Sequence, residues 1–174
     1  MMQPWRLIDQ RPGPVGYMTV VARNYELPDG REAEWDILIG ADSIAVLALT
    51  SANEVVLVRQ YRPGPQRILD ELPGGGIEPG ENPAQAAARE LAEETGYVGR
   101  IEVVGSTWVA GNVTRRRWAA IATDCRQLQP PSPDDGEYCE PLLMSLPDFR
   151  NHLRSGQLTD TDVGYMCLDH GGLL

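Results

Sequence analysis

The chain has 174 residues, 42% of them hydrophobic, and a formal net charge of −10; this is length for one domain with its own core, and acidity that argues against binding a nucleic-acid backbone. No stretch approaches the roughly 20 apolar residues of a membrane span, and the first residues lack the apolar run of a signal peptide, so neither a membrane nor an export role is expected. Cys125, Cys139 and Cys167 are odd in number and lack metal-ligand spacing, which predicts small buried thiols in a reduced, cytoplasmic setting.

Residues 1–14 carry Pro4, Pro12 and Pro14 and are expected to be irregular. Strands are predicted from Gly16 to Arg23 and from Arg31 to Gly40, joined by a turn at Leu27-Pro-Asp-Gly30. Ser43 to Thr50 and Glu54 to Gln60, rich in aliphatic and β-branched residues, form the next pair, and Ile68 to Leu72 a short strand. A Gly/Pro-rich loop from Pro73 to Gly80 then turns into a helix, with Asn82 as N-cap, Pro83 at the first position and Gly96 as a left-handed stop. Ala84, Ala87, Ala88, Leu91 and Thr95 give this helix a small-residue face suited to close packing on a sheet. Further strands are predicted near Ile101–Trp108 and Trp118–Thr123, then an acidic Pro-rich loop over 127–136, a strand from Tyr138 to Met144, and helices from Ser145 to about Gly156 and Thr161 to His170. Hairpins, central strands, a helix, strands and two helices in that order read as α+β.

Glu90, Glu93 and Glu94 share one side of the first helix, because i, i+3 and i+4 lie together at about 100° per residue. Arg89 and Glu93 are the single opposite-charge i,i+4 pair, so the cluster reads as like charge without evident compensation. A bare Glu-Glu pair is ordinarily a solvated helix face. Its alternative is oxygen ligation of Mg²⁺ or Mn²⁺, with phosphate oxygens completing the shell.

The flanking residues favour the second reading. Gly75, Glu81, Arg89, Glu90, Leu91, Glu93, Glu94, Gly96 and Tyr97 fill a pattern that resembles the Nudix box, Gly-x5-Glu-x7-Arg-Glu-U-x-Glu-Glu-x-Gly-U, with U apolar and Tyr97 its loosest fit. The resemblance implies an α/β/α sandwich around a mixed sheet, preceded by a small N-terminal antiparallel β subdomain. It divides the chain into an N-terminal β region, 1–42, involved in dimerisation, and a Nudix hydrolase domain, 43–174. It further implies that Glu90 and Glu94 ligate Mg²⁺ (Mn²⁺ as a substitute), that Glu93 assists, and that Gly75, Glu81 and Arg89 fix the loop against the helix.

Outside the box, Leu57-Val-Arg-Gln-Tyr-Arg62, Glu71-Leu-Pro-Gly-Gly75, Asp135-Gly-Glu137 and Gly156-Gln-Leu-Thr-Asp160 resemble the ADP-ribose pyrophosphatase branch. By that resemblance the Gly74 carbonyl is a metal ligand, Arg62 meets the diphosphate, and Trp35 and Tyr17 lie where aromatic rings stack on the base. Glu137 is the candidate general base, because carboxylates beside a cation lose basicity; Asp134, Asp135 and Glu140 compete with it. The implied activity is hydrolysis of a nucleoside diphosphate sugar by a homodimer, most directly ADP-ribose to AMP and ribose 5-phosphate. Ala110 stands where the branch carries a Pro, and Arg115, Arg116 and Arg117 follow, so a GDP-sugar or other nucleotide sugar is an alternative. A non-catalytic nucleotide-sensing Nudix module is an alternative of another class; such modules can lose box glutamates, and Glu90, Glu93 and Glu94 are retained here. Cleansing of nucleoside triphosphates shares the box but gives no reason for the long N-terminal hairpin region.

Overall fold

Asp29-Gly30 supplies the tight connection of the first hairpin, with Gly30 at φ 82° and its N–H donating to the Leu27 carbonyl at 2.9 Å. The hairpin joins β1 (Thr19–Glu26) to β2 (Glu32–Ile39) as a separate two-stranded antiparallel sheet, in register from Thr19 opposite Ile39 to Glu26 opposite Glu32. The computed structural model describes residues 3, 6, 8 and 18–174.

The six apolar residues Ile44 to Leu49 lie within β3 (Ser43–Thr50), the centre of a seven-stranded sheet. Such an unbroken run marks a strand covered on both faces, and its alternation divides two cores. Ile44, Val46 and Ala48 face one helix, and Ala45, Leu47 and Leu49 the other two. The remaining elements are β4 (Glu54–Arg62), β5 (Arg67–Glu71), β6 (Gly74–Gly76), α1 (Pro83–Thr95), β7 (Tyr97–Trp108), β8 (Arg116–Gln127), β9 (Glu140–Ser145), α2 (Leu146–Ser155) and α3 (Thr161–His170). The strand order is β5-β4-β3-β8-β7, with β6 paired to β3 and β9 to β4. β3 runs parallel to β8 and antiparallel to β4 and β6, so the sheet is mixed. Ala86, Ala87 and Leu91 of α1 pack on one face; Phe149, Leu153, Val163, Cys167 and Leu168 of α2 and α3 pack on the other. This is an α/β/α sandwich beside a small β hairpin.

Several expectations need correction. β6 was not foreseen, since three glycines carry no strand-forming side chain; backbone pairing of Gly74–Gly76 with Ser43–Ala45 makes the strand. β7 starts at Tyr97, directly after the helix stop, and β8 extends from Arg116 to Gln127, because the two pair with each other through polar residues at both ends. β9 begins at Glu140 rather than at Tyr138. On α1, Ala86 is buried and Ala88 exposed, which turns the inward face slightly from the one predicted. No helix among the described residues is long and apolar enough to cross a membrane.

Candidate active site

α1 is fixed at both ends. Asn82 Oδ1 accepts the Gln85 N–H at 3.0 Å and Gln85 Oε1 accepts the Asn82 N–H at 2.9 Å, a reciprocal cap worth about 1 kcal/mol. Gly96 ends the helix at φ 74°, where a side chain would also strike the Gln129 carbonyl.

Arg89 organises the acidic face. Its Nε and Nη2 donate to Glu81 at 2.9 and 3.1 Å, its Nη1 to Glu90 at 2.9 Å and Glu93 at 3.0 Å, and its Nη2 to the Gly76 carbonyl at 2.8 Å. The expectation of an uncompensated cluster is therefore corrected: one guanidinium ties the box loop, β6 and two helix carboxylates together. Spacing on a helix hides this, because Glu81 and Gly76 reach Arg89 from the loop and Glu90 is its sequence neighbour. Glu81, hydrogen-bonded by Arg89, lies below the usual carboxylate range.

Glu94 receives no such help. It is 4% exposed; Oε2 accepts the Gly74 N–H at 2.8 Å, and Oε1 lies 3.8 Å from the Cys139 thiol. Burial pushes its carboxyl up to about 8; the Gly74 N–H and Arg62 oppose this, while Glu90 and Glu137 add to it. Burial likewise raises Glu90, with Arg89 opposing and Glu93 and Glu137 adding. Ligand atoms of Glu94, Glu137 and Cys139 all lie within 4.8 Å of one another. A buried carboxylate crowded by two others and answered chiefly by a backbone N–H fits a divalent cation, and the mainly oxygen donor set suits a hard one.

The acidic loop delivers Glu137 to this cluster, where its charge acts on Glu90 and Glu94. Asp134 and Asp135 are exposed, and Glu140 sits on β9 opposite Arg59. Arg62 is ion-paired through Nε with Glu71, which is fully buried and also accepts the Thr159 N–H at 2.9 Å. Trp35 is 54% exposed on the hairpin, opposite Arg23, and the Tyr17 expectation lies outside the described residues.

The three arginines around the start of β8, Arg115 to Arg117, divide their work. Arg117 Nη1 donates to the Thr159 carbonyl at 2.8 Å and to Asp162 at 3.1 Å. Arg116 lies 5.0 Å from the Trp108 ring and 5.9 Å from the Trp118 ring. Arg115 Nε is buried with no hydrogen-bond partner among the described residues.

Sequence reasoning missed Cys139, grouped there with the buried thiols; Cys125 and Cys167 are buried, whereas Cys139 is half-buried beside Glu94. Glu71 and Asp160 were seen only as parts of motifs, and nothing in their spacing announced that both are buried.

The sequence profile of the NUDIX domain family matches residues 41–160. The chain belongs to the Nudix hydrolase family. It is 29% identical over 143 residues to the ADP-ribose pyrophosphatase of Bacillus subtilis (strain 168), covering 80% of this chain and 77% of the relative. It is 34% identical over 141 residues to the ADP-sugar pyrophosphatase of Mus musculus, covering 71% of this chain and 64% of that one, just under two thirds. A solved structure described as an ADP compounds hydrolase superposes with a TM-score of 0.75 at 18% identity, over 93% of this chain and 92% of that one; this likeness speaks to the fold.

Proposed function

We propose that this Nudix hydrolase cleaves the diphosphate bond of a nucleoside diphosphate sugar, foremost ADP-ribose to AMP and ribose 5-phosphate, with Mg²⁺, or Mn²⁺ in its place. The observation that carries the reaction class is the convergence of Glu90 and Glu137 on the buried Glu94; the pyrophosphatase relatives support the substrate class.

Glu90, Glu94 and the Gly74 carbonyl would hold the cation, with Glu93 assisting. When bound, it neutralises diphosphate oxygens and stabilises the charge that develops on them. Arg62, anchored by Glu71, directs its guanidinium to the diphosphate. Glu137 takes the proton of a water aligned with the phosphorus under attack, and the phosphorus–oxygen bond to the leaving phosphate breaks. Gly75, Glu81 and Arg89 keep loop and helix in register. Trp35 stacks on the base, with Tyr17 as a second ring. Residues 1–42 serve dimerisation and 43–174 form the catalytic unit.

A GDP-sugar is the second reading, favoured by Ala110 in the loop beside the arginine triplet. The test is a panel of ADP-ribose, GDP-sugars, dinucleotides and nucleoside triphosphates incubated with Mg²⁺, with products identified. Nucleotide sugars as the best substrates support the proposal; turnover of triphosphates alone overturns it.

A further inference from the structure

The turn between α2 and α3 sets the Thr159 N–H on the buried Glu71, whose charge acts on the neighbouring Asp160. Asp160 is 5% exposed, and its Oδ1 has no hydrogen-bond partner among the described residues. It stands at the N-cap of α3, the usual station for an aspartate that caps, yet its side chain makes no capping hydrogen bond. Capping does not explain it.

Charge balance narrows the explanation. Glu71 from β5, Arg62 from β4 and Arg117 from β8 are the charged groups that act on Asp160. Arg117 is committed to the Thr159 carbonyl and to Asp162 on α3, which Thr107 also holds at 2.7 Å. Arg62 is committed through Nε to Glu71. A second buried anion here would have no cation of its own, a costly arrangement. Burial, and next Glu71, push the Asp160 carboxyl up to about 7, against the pull of Arg117, its own N–H and Arg62.

We propose that Asp160 is a positioning residue that carries a proton in the working enzyme, leaving Glu71 as the ion-paired carboxylate of Arg62 and so keeping that guanidinium's field available to the substrate diphosphate. This role rests on the nucleotide-sugar reading above. Loss of the proton sets two carboxylates against Arg62, and diphosphate binding weakens.

Asp160→Asn mimics the protonated acid in shape and charge. Below the unfolded aspartate value of about 4 the wild-type residue carries no penalty; as pH rises towards about 7 it must either keep an unfavoured proton or ionise while buried. The melting temperature of Asp160→Asn minus wild type is therefore expected to widen between those values and stay level above them; a flat difference from pH 4 to 8 overturns the protonation. In the second arm, a methylene-bridged ADP-ribose analogue is titrated calorimetrically at pH 6.0 and 8.5 with saturating Mg²⁺. Wild-type affinity is expected to fall by roughly tenfold, the scale of one charge-assisted contact, while Asp160→Asn changes little, and Arg62→Ala abolishes the difference between them. Parallel pH profiles of the two proteins overturn the positioning role, since every group but residue 160 is common to both. An analogue that binds neither protein at either pH overturns the nucleotide-sugar reading, and the role at substrate with it, whatever the melting curves show.

Discussion

Gly75 lies flat against the Glu90 carboxylate: a Cβ built on it would stand 2.7 Å from Glu90 Cδ, inside any real contact. Its neighbour Gly74 is closed by backbone instead, with Ala45 Cα 2.8 Å from the corresponding Cβ. The two substitutions should therefore fail differently. Gly75→Ala can be relieved by swinging Glu90 aside, so the melting temperature changes little while turnover falls at least about tenfold, as expected when a charge-stabilising group is misplaced. Gly74→Ala must shift β6 from β3, and is expected to lower the melting temperature as well. Equal melting losses in both would contradict this division.

Glu94 should show a trade of stability for function. Glu94→Gln is expected to keep the fold and lower Mg²⁺-dependent turnover by at least about a hundredfold. The buried carboxyl sits at about 8, above its unfolded value, so its burial penalty grows as pH rises from about 4.3. With chelator present, Glu94→Gln should thus melt above wild type by a margin that widens up to pH 8. Melting curves at three pH values check it; a margin independent of pH would refute the burial argument.

Glu137→Gln should cost roughly 10²–10⁴-fold in kcat while leaving metal affinity nearly unchanged, as expected for loss of a general base. The exposed Asp134 and Asp135 serve as controls. A large loss in Asp134→Asn or Asp135→Asn, with Glu137→Gln active, would move the base elsewhere on the same loop.

The sandwich was legible because its signals are local. The unbroken run Ile44–Leu49 announces a strand buried on both faces, and Asn82, Pro83 and Gly96 bracket α1 at its observed ends. The box gave the acidic face for the same reason, since helical spacing alone puts Glu90 and Glu94 together. What escaped depends on contacts between distant segments. β6 exists only by pairing with β3, and Glu71 meets the Thr159 N–H across 88 positions. Cys139 approaches Glu94 across 45 positions through the fold of the acidic loop. The arginine triplet looked like one basic patch, yet Arg116 lies over the Trp108 and Trp118 rings while Arg117 is spent on Asp162 and Thr159.

The hairpin of β1 and β2 exposes Val20, Tyr25 and Trp35 on a two-stranded sheet, tied to the segment after β7 by a bridge from Leu38 to Val113, and a two-stranded sheet is marginal in water on its own. A homodimer covering this region is expected, with Trp35 stacked on the base. Trp35→Ala should raise KM for ADP-ribose by roughly tenfold, within the 1–3 kcal/mol of base–aromatic stacking, and affect kcat less. Sedimentation showing a monomer at working concentration would reject the dimer, and an unchanged KM would reject the stacking.

The proposed activity of the carboxylates around Glu94 is hydrolysis of a nucleotide sugar's diphosphate. Its most direct measurement is product release from ADP-ribose at saturating Mg²⁺, followed for wild type and Glu94→Gln side by side. AMP and ribose 5-phosphate should appear in equal amounts with wild type, and at least about a hundredfold more slowly with the variant. Equal rates in the two proteins, or intact ADP-ribose with wild type while another diphosphate or triphosphate is consumed, would contradict it.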